Sequence, residues 1–100
     1  WARYVCEADP MRFAQLAVRV LKAEMDFENP LKTALHGIDR LEEFWRSLGM
    51  PVNLRELNAG IKEDDFKELA DKCSFRGARI LPGIKTLGKK EMEEIYRKAF

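Results

Sequence analysis

The sequence has few residues from which a catalytic centre could be built: 100 residues include one histidine and two cysteines. A metal site needs three or four His, Cys, Asp or Glu ligands at workable spacing, and a catalytic triad needs a base that a third group orients. His36 stands alone on a predicted helix, and Cys6 and Cys73 lie far apart in the sequence. We therefore expect no catalytic, cofactor-binding or metal-ligating residue in this chain.

A strong net charge and a long apolar run are also missing. The formal net charge is +1, so no global field attracts nucleic acid or an anionic membrane. No apolar run approaches the ~20 residues that span a bilayer. The segment around Gly60 has a helix-turn-helix order, but its second helix begins with Glu63, Asp64 and Asp65, which DNA phosphates repel. We expect no nucleic-acid or membrane partner, and two reduced thiols are typical of a cytoplasmic protein.

The apolar residues that are present recur at helical spacing along almost the whole chain. Asp9-Pro10 and Asn29-Pro30 are helix-start signals, and Gly49 followed by Pro51 is a helix-stop signal. Helical stripes run through residues 10–21, 31–48, 66–73 and 89–99, and Asn53 caps a brief predicted helix through Leu57. The prediction is an all-α fold: one domain, residues 1–100, formed by a compact cluster of about five helices.

The longest predicted helix carries the widest apolar face. The face consists of Leu31, Ala34, Ile38, Leu41, Phe44, Trp45 and Leu48, and a shorter stripe precedes it at Phe13, Leu16, Ala17, Val20 and Leu21. We expect Phe44 and Trp45 near the centre of the core. Gly37 weakens a helix by about 1 kcal/mol relative to alanine, so it indicates a close contact between helices.

The order and spacing of several segments resemble one known domain. The segments are NPLKTALHGIDRLEEFWRSLGMPVNLREL, KEDDFKELADKC and the closing KKEMEEIYRKAF. Together they resemble the carboxyl-terminal helical domain of iron-containing (type III) alcohol dehydrogenases, in the butanol dehydrogenase branch. The resemblance covers nearly the whole chain.

The resemblance implies that the chain is the carboxyl-terminal fragment of a two-domain enzyme with a dehydroquinate-synthase-like fold. Such an enzyme interconverts alcohols and aldehydes, uses NAD(P) and a divalent metal, iron or zinc, and works as a cytoplasmic homodimer. Its partner domain, which binds the nucleotide, lies upstream in the same chain. The metal ligands, one Asp and three His, lie upstream of Trp1, so the fragment alone is expected to be inactive and free of cofactor. The alternative is a stand-alone helical module that binds a partner protein.

The resemblance also implies a role for the irregular segment 74–88, which connects the last two predicted helices. In the family this connection lies near the mouth of the cleft between the two domains. Phe75, Arg76, Gly77 and Arg79 are therefore the candidate cleft-lining residues. Phe75 would supply an apolar wall, and an arginine would offer positive charge to a phosphate-bearing ligand. The alternative is that Phe75 caps the core and both arginines are solvated.

Overall fold

The computed structural model describes all 100 residues, and its secondary structure is helical with no strand. The helices are α1 (Ala2–Val5), α2 (Pro10–Arg19), α3 (Pro30–Ser47), α4 (Phe66–Cys73) and α5 (Lys89–Lys98). Two 3₁₀ turns, Cys6–Ala8 and Glu63–Asp65, precede α2 and α4. The predicted all-α fold of about five helices is confirmed. None of these helices combines the length and apolar character that a membrane-spanning helix requires.

The helix starts and the stop of α3 follow the local sequence signals. Asp9 accepts a hydrogen bond from the backbone N–H of Arg12 at 3.2 Å, and Asn29 accepts one from Lys32 at 3.2 Å. Gly49 adopts a left-handed φ of 73° at the end of α3. Its N–H donates to the Arg46 carbonyl at 2.9 Å, and the Met50 N–H donates to the Trp45 carbonyl at 3.0 Å. This pair of bonds is the Schellman motif, which satisfies carbonyls at a helix end.

The chain divides into two compact units, Trp1–Met50 and Pro51–Phe100. In the first unit, α2 packs on α3 through small side chains. A Cβ atom added to Gly37 would lie 2.9 Å from the Cα atom of Ala17 and closer still to its Cβ atom. The predicted close helix contact at Gly37 is therefore confirmed. The buried residues of this unit are Val5, Cys6, Phe13, Ala14, Ala17, Ala23, Thr33, Ala34, Gly37 and Ile38.

The prediction that Phe44 and Trp45 lie near the centre of the core is wrong. Their exposed fractions are 50% and 39%, and Leu48 is 57% exposed. The reason is helix length: at 1.5 Å per residue, α3 is about 27 Å long and α2 about 15 Å. α2 therefore covers the part of α3 around Gly37 and leaves its carboxyl-terminal end open. The α2 stripe is also narrower than predicted, because Leu16 and Val20 are exposed.

The second unit is built around Phe66 on α4, which is completely buried. The Phe100 ring meets it edge-on with 5.3 Å between centroids, and the Arg97 guanidinium lies 5.7 Å from its centroid. Arg55 in turn stacks over Phe100 at 4.4 Å. These contacts join the start and the end of the unit to α4. Ala70, Leu87 and Met92 complete its buried apolar residues.

The predicted helix from Asn53 to Leu57 forms only a single turn. The Asn53 side chain accepts a hydrogen bond from the Glu56 N–H at 2.8 Å, as a cap should. The Leu57 N–H donates to the Asn53 carbonyl at 3.2 Å, but Asn58 then adopts a φ of 53°. A left-handed residue at this position ends the helical path, so the cap signal is correct and the helix is not propagated.

Candidate functional site

The segment between α4 and α5 contains the most unusual backbone of the chain. Phe75, Arg76 and Gly77 have φ angles of 49°, 59° and 84°, three left-handed residues in succession. Two of the three are not glycine, and side chains rarely adopt this conformation without surrounding support. Such conformations cluster at ligand-binding and switching segments of proteins. Of the four candidate residues, Phe75, Arg76 and Gly77 form this turn, and Arg79 directly follows it.

Ser74 stabilises the left-handed turn through hydrogen bonds. It is completely buried, and its hydroxyl donates to the Asp71 carbonyl at 3.2 Å and accepts the Gly77 N–H at 3.0 Å. The Arg76 N–H donates to the same Asp71 carbonyl at 2.7 Å, and the Arg79 N–H donates to the Ser74 carbonyl at 2.8 Å. The end of α4 therefore fixes the turn through four hydrogen bonds.

The turn presents an aromatic ring and a guanidinium to solvent. Phe75 is 64% exposed, and the Arg79 guanidinium lies 5.3 Å from the centroid of its ring. The alternative that Phe75 caps the core is therefore wrong. Arg76 and Arg79 are both exposed, as that alternative expected. A ring with a cation stacked on one face forms a small, preorganised surface that suits planar or anionic groups.

An ion pair between Asp71 and Lys89 joins α4 and α5 at the base of the turn. The hydrogen bond from Lys89 is the main cause that lowers the pKa of Asp71, and the charge of Arg76 contributes in the same direction. The Asp71 carboxylate is therefore ionised and forms its ion pair with Lys89. Leu81 and Leu87 close the rest of the segment through two backbone hydrogen bonds of 2.8 and 2.9 Å.

The other residues with catalytic potential do not come together. His36 is exposed on α3, Cys6 is buried in the 3₁₀ turn after α1, and Cys73 lies beside Tyr96. Burial, followed by the neighbouring Cys73, raises the pKa of that tyrosine. No group of three or more His, Cys, Asp or Glu side chains lies close enough to hold a metal ion. The residues of this chain therefore do not fit the iron or zinc site that the resemblance implies.

Two features of the molecule were not predicted from the sequence. The spacing Asp71-x-x-Ser74-x-x-Gly77 is the signal that could have located the hydrogen-bonded turn, because a serine can bond to backbone groups three residues away on both sides. The second feature is an open groove of ≈ 460 Å³ beside α2. Its apolar lining includes Met11 and Val18, on the face of α2 that the apolar stripe does not include, and Phe27 in the connection between α2 and α3.

Comparison with known proteins assigns the chain to a family. The family model described as "Fe-containing alcohol dehydrogenase family, C-terminal" matches residues 1–100. The probable NADH-dependent butanol dehydrogenase 1 of Bacillus subtilis (strain 168) is 34% identical over 97 residues, which are 97% of this chain and 24% of that protein. The probable NADH-dependent butanol dehydrogenase 2 of the same organism is 34% identical over 71 residues, 71% of this chain and 18% of that protein.

A solved structure agrees with these sequence relatives. The crystal structure of a 1,3-propanediol oxidoreductase superposes with a TM-score of 0.79 at 28% identity, covering 99% of this chain and 25% of that one. The chain thus spans a quarter or less of the length of the relatives it matches. In them the matched region is part of one longer polypeptide. The chain belongs to the Fe-containing alcohol dehydrogenase family, in the C-terminal part that the family model describes.

Proposed function

We propose that this chain is the carboxyl-terminal helical part of a metal-dependent, NAD(P)H-linked alcohol dehydrogenase that interconverts alcohols and aldehydes. The observation that carries the proposal is the match over all 100 residues to the C-terminal family model. Two relatives that are 34% identical are probable NADH-dependent butanol dehydrogenases, which supports an alcohol as substrate. The stand-alone interaction module is not favoured, because the relatives carry this region within a longer chain.

In this proposal, residues 1–100 and the rest of the enzyme have different roles. Residues 1–100 assemble no metal-ligand group, so we assign the metal and the nucleotide to an upstream domain of the same polypeptide. In this proposal residues 1–100 form one helical domain of the enzyme, and the enzyme is a cytoplasmic homodimer. The free cysteines Cys6 and Cys73 fit a reducing compartment.

The first prediction is that the chain of residues 1–100, purified alone, does not reduce NAD(P) in the presence of alcohol. It also should not retain stoichiometric iron or zinc, because one histidine and two separated cysteines cannot supply a ligand set. The measurements are absorbance at the reduced-nicotinamide band with butanol or 1,3-propanediol, and elemental analysis. The full-length protein, assayed in parallel, should oxidise alcohol. Stoichiometric metal or turnover in the short chain would contradict the proposal.

We further propose that the left-handed turn, with Phe75, Arg76, Gly77 and Arg79, lines the cleft in which the full-length enzyme binds its ligands. The backbone conformation of the turn supports this proposal. Ser74 holds the turn in a rare geometry, and that geometry leaves an aromatic side chain and two arginines exposed. Phe75 would contact the alkyl part of the alcohol or the nicotinamide. Arg76 or Arg79 would approach a phosphate of the nucleotide.

The second prediction concerns kinetics of the full-length enzyme. We expect Phe75→Ala to raise KM for the alcohol and Arg79→Met to raise KM for NADH, each about threefold to tenfold, which corresponds to about 0.6–1.4 kcal/mol of binding. Ile80→Ala is the matched control, because Ile80 is 60% exposed in the same segment and lies outside the turn. If both variants keep the kcat and KM values of the control, the segment is only a connector.

A further inference from the structure

The last turn of α3 and the residues that follow it carry an apolar surface that continues the buried face of the helix. Around Gly37 and Ile38 this face packs on α2, and beyond Leu41 it becomes exposed. The exposed part consists of Phe44, Trp45, Leu48 and Met50, with exposed fractions of 50%, 39%, 57% and 49%. We call these four residues the α3 apolar end.

The α3 apolar end has the spacing and the order of a helix-packing surface. Leu41 and Trp45 are four residues apart, as are Phe44 and Leu48, so the two pairs form neighbouring ridges on one side of the helix. The Phe44 and Trp45 rings are 5.3 Å apart and tilted by 58°. The Schellman motif at Gly49 fixes the position of Met50 at the end of these ridges. The surface is therefore preformed over about two helical turns.

The start of the chain lies beside this surface. Arg3 on α1 donates hydrogen bonds to Asp39 at 2.6 Å and to Glu42 at 3.1 Å, so α1 is tied to the middle of α3. Trp1 lies two residues before Arg3, and Glu42 lies one turn before Trp45 on α3. Residues joined to Trp1 would therefore begin close to the α3 apolar end.

We propose that the α3 apolar end is the docking surface for the segment of the full-length protein that immediately precedes Trp1. This proposal rests on the proposed function, because it requires the longer polypeptide. The segment enters two residues before Arg3, which is bonded to Glu42, and the relatives are at least four times as long as their matched regions. The occupant is a helix with an apolar face, since a ridge at three- and four-residue spacing packs against a second helix. A segment in the same chain needs no second molecule to reach the surface.

Photochemical cross-linking in the full-length protein tests the occupant directly. Trp45 is replaced with p-benzoylphenylalanine. The variant is produced once with natural and once with heavy nitrogen, and the two samples are unfolded, mixed and refolded so that any oligomer contains chains of both isotopes. We expect the dominant cross-linked peptide to join position 45 to residues preceding Trp1. Both halves of that peptide should carry the same nitrogen isotope, as they do when the cross-link forms within one chain. The same probe at Phe27, which is 87% exposed, gives the reference for non-specific products.

Three results would overturn the proposal: a dominant cross-link between chains of different isotopes, a cross-link to residues 51–100, or no product above the Phe27 reference. The first would assign the surface to a second copy. Alcohol oxidation is measured on the same protein. If the cross-link forms as expected but the enzyme oxidises no alcohol, the proposed function fails and the docking surface stands.

A substitution gives an independent readout. Leu48→Lys should lower the melting temperature of the full-length protein by several degrees, because it places an unpaired charge in the buried contact. The same change in the chain of residues 1–100 should leave its melting temperature unchanged, because Leu48 is 57% exposed there. A cation at the end of α3 is compatible with the helix dipole. An unchanged melting temperature in the full-length protein would contradict the docking surface.

Discussion

Replacing Gly37 with alanine should destabilise the α2–α3 pair by about 3 kcal/mol, at the upper end of overpacking effects. The added Cβ atom would lie 2.9 Å from the Cα atom of Ala17. That neighbour is backbone, so it cannot move aside as a flexible side chain could, and the two helices must separate. Alanine favours a helix over glycine by about 1 kcal/mol, and this gain is too small to offset the steric cost. A domain of this size has a total stability of about 5–15 kcal/mol.

The loss of stability caused by Gly37→Ala can be measured in the first unit specifically. Trp1 and Trp45, the two tryptophans of the chain, both lie in the first unit. Urea unfolding of residues 1–100 monitored by tryptophan fluorescence therefore reports on this unit. His36→Ala is the matched control, because His36 is the exposed neighbour of Gly37 on the same helix and should show no loss.

A second variant separates the steric effect from other effects at Gly37. Adding Ala17→Gly to Gly37→Ala removes the opposing methyl group and should recover part of the lost stability. A Gly37→Ala chain as stable as the parent chain would show that the helices are not in close contact there. A double variant with no recovery would show that the Cα atom of residue 17, and not its methyl group, causes the loss.

The sequence predicted local features of the fold well, because their causes lie within a few residues. Asp9 and Asn29 cap their helices with their own side chains, and Gly49 ends α3 through the two residues that flank it. Gly37 was informative for the same reason: a glycine inside a helix has a cost, so its presence indicates a compensating contact. No distant part of the chain was needed for these predictions.

The predictions that failed depended on what lies opposite each helix. The stripe through Phe44 and Trp45 is correct as a helical face, but α2 is too short to cover it. Periodicity shows that a face is apolar and does not show how much of it a partner covers. The predicted cap at Asn53 is present, but no periodic signal indicates that Asn58 ends the turn.

The sequence located the segment of the candidate site but did not predict its backbone conformation. Glycine and proline content indicated an irregular connection at 74–88, and the resemblance selected four of its residues. The left-handed conformation of Phe75 and Arg76 was not predictable from their residue types, because neither favours a positive φ. It results from the buried hydroxyl of Ser74, which bonds to Asp71 and Gly77 on opposite sides.

Phe66→Ala and Phe75→Ala should differ by several kcal/mol in their effect on stability, although both remove a phenyl ring from the second unit. Phe66 is completely buried, and its removal costs about 3–5 kcal/mol through lost transfer energy and the cavity that remains. It also removes the edge-on contact with Phe100 and the guanidinium contact with Arg97. Phe75 is 64% exposed, so Phe75→Ala should change the stability by no more than about 0.5 kcal/mol.

Hydrogen exchange measured by mass spectrometry on residues 1–100 distinguishes the two variants, because the second unit contains no tryptophan. Peptides covering Phe66–Cys73 and Lys89–Lys98 should exchange about two to four powers of ten faster in Phe66→Ala, the factor that corresponds to about 3–5 kcal/mol. In Phe75→Ala the same peptides should keep the protection of the parent chain. Equal acceleration in both variants would mean that Phe75 stabilises the fold. In that case a change in KM caused by Phe75→Ala would no longer indicate a contact with the ligand.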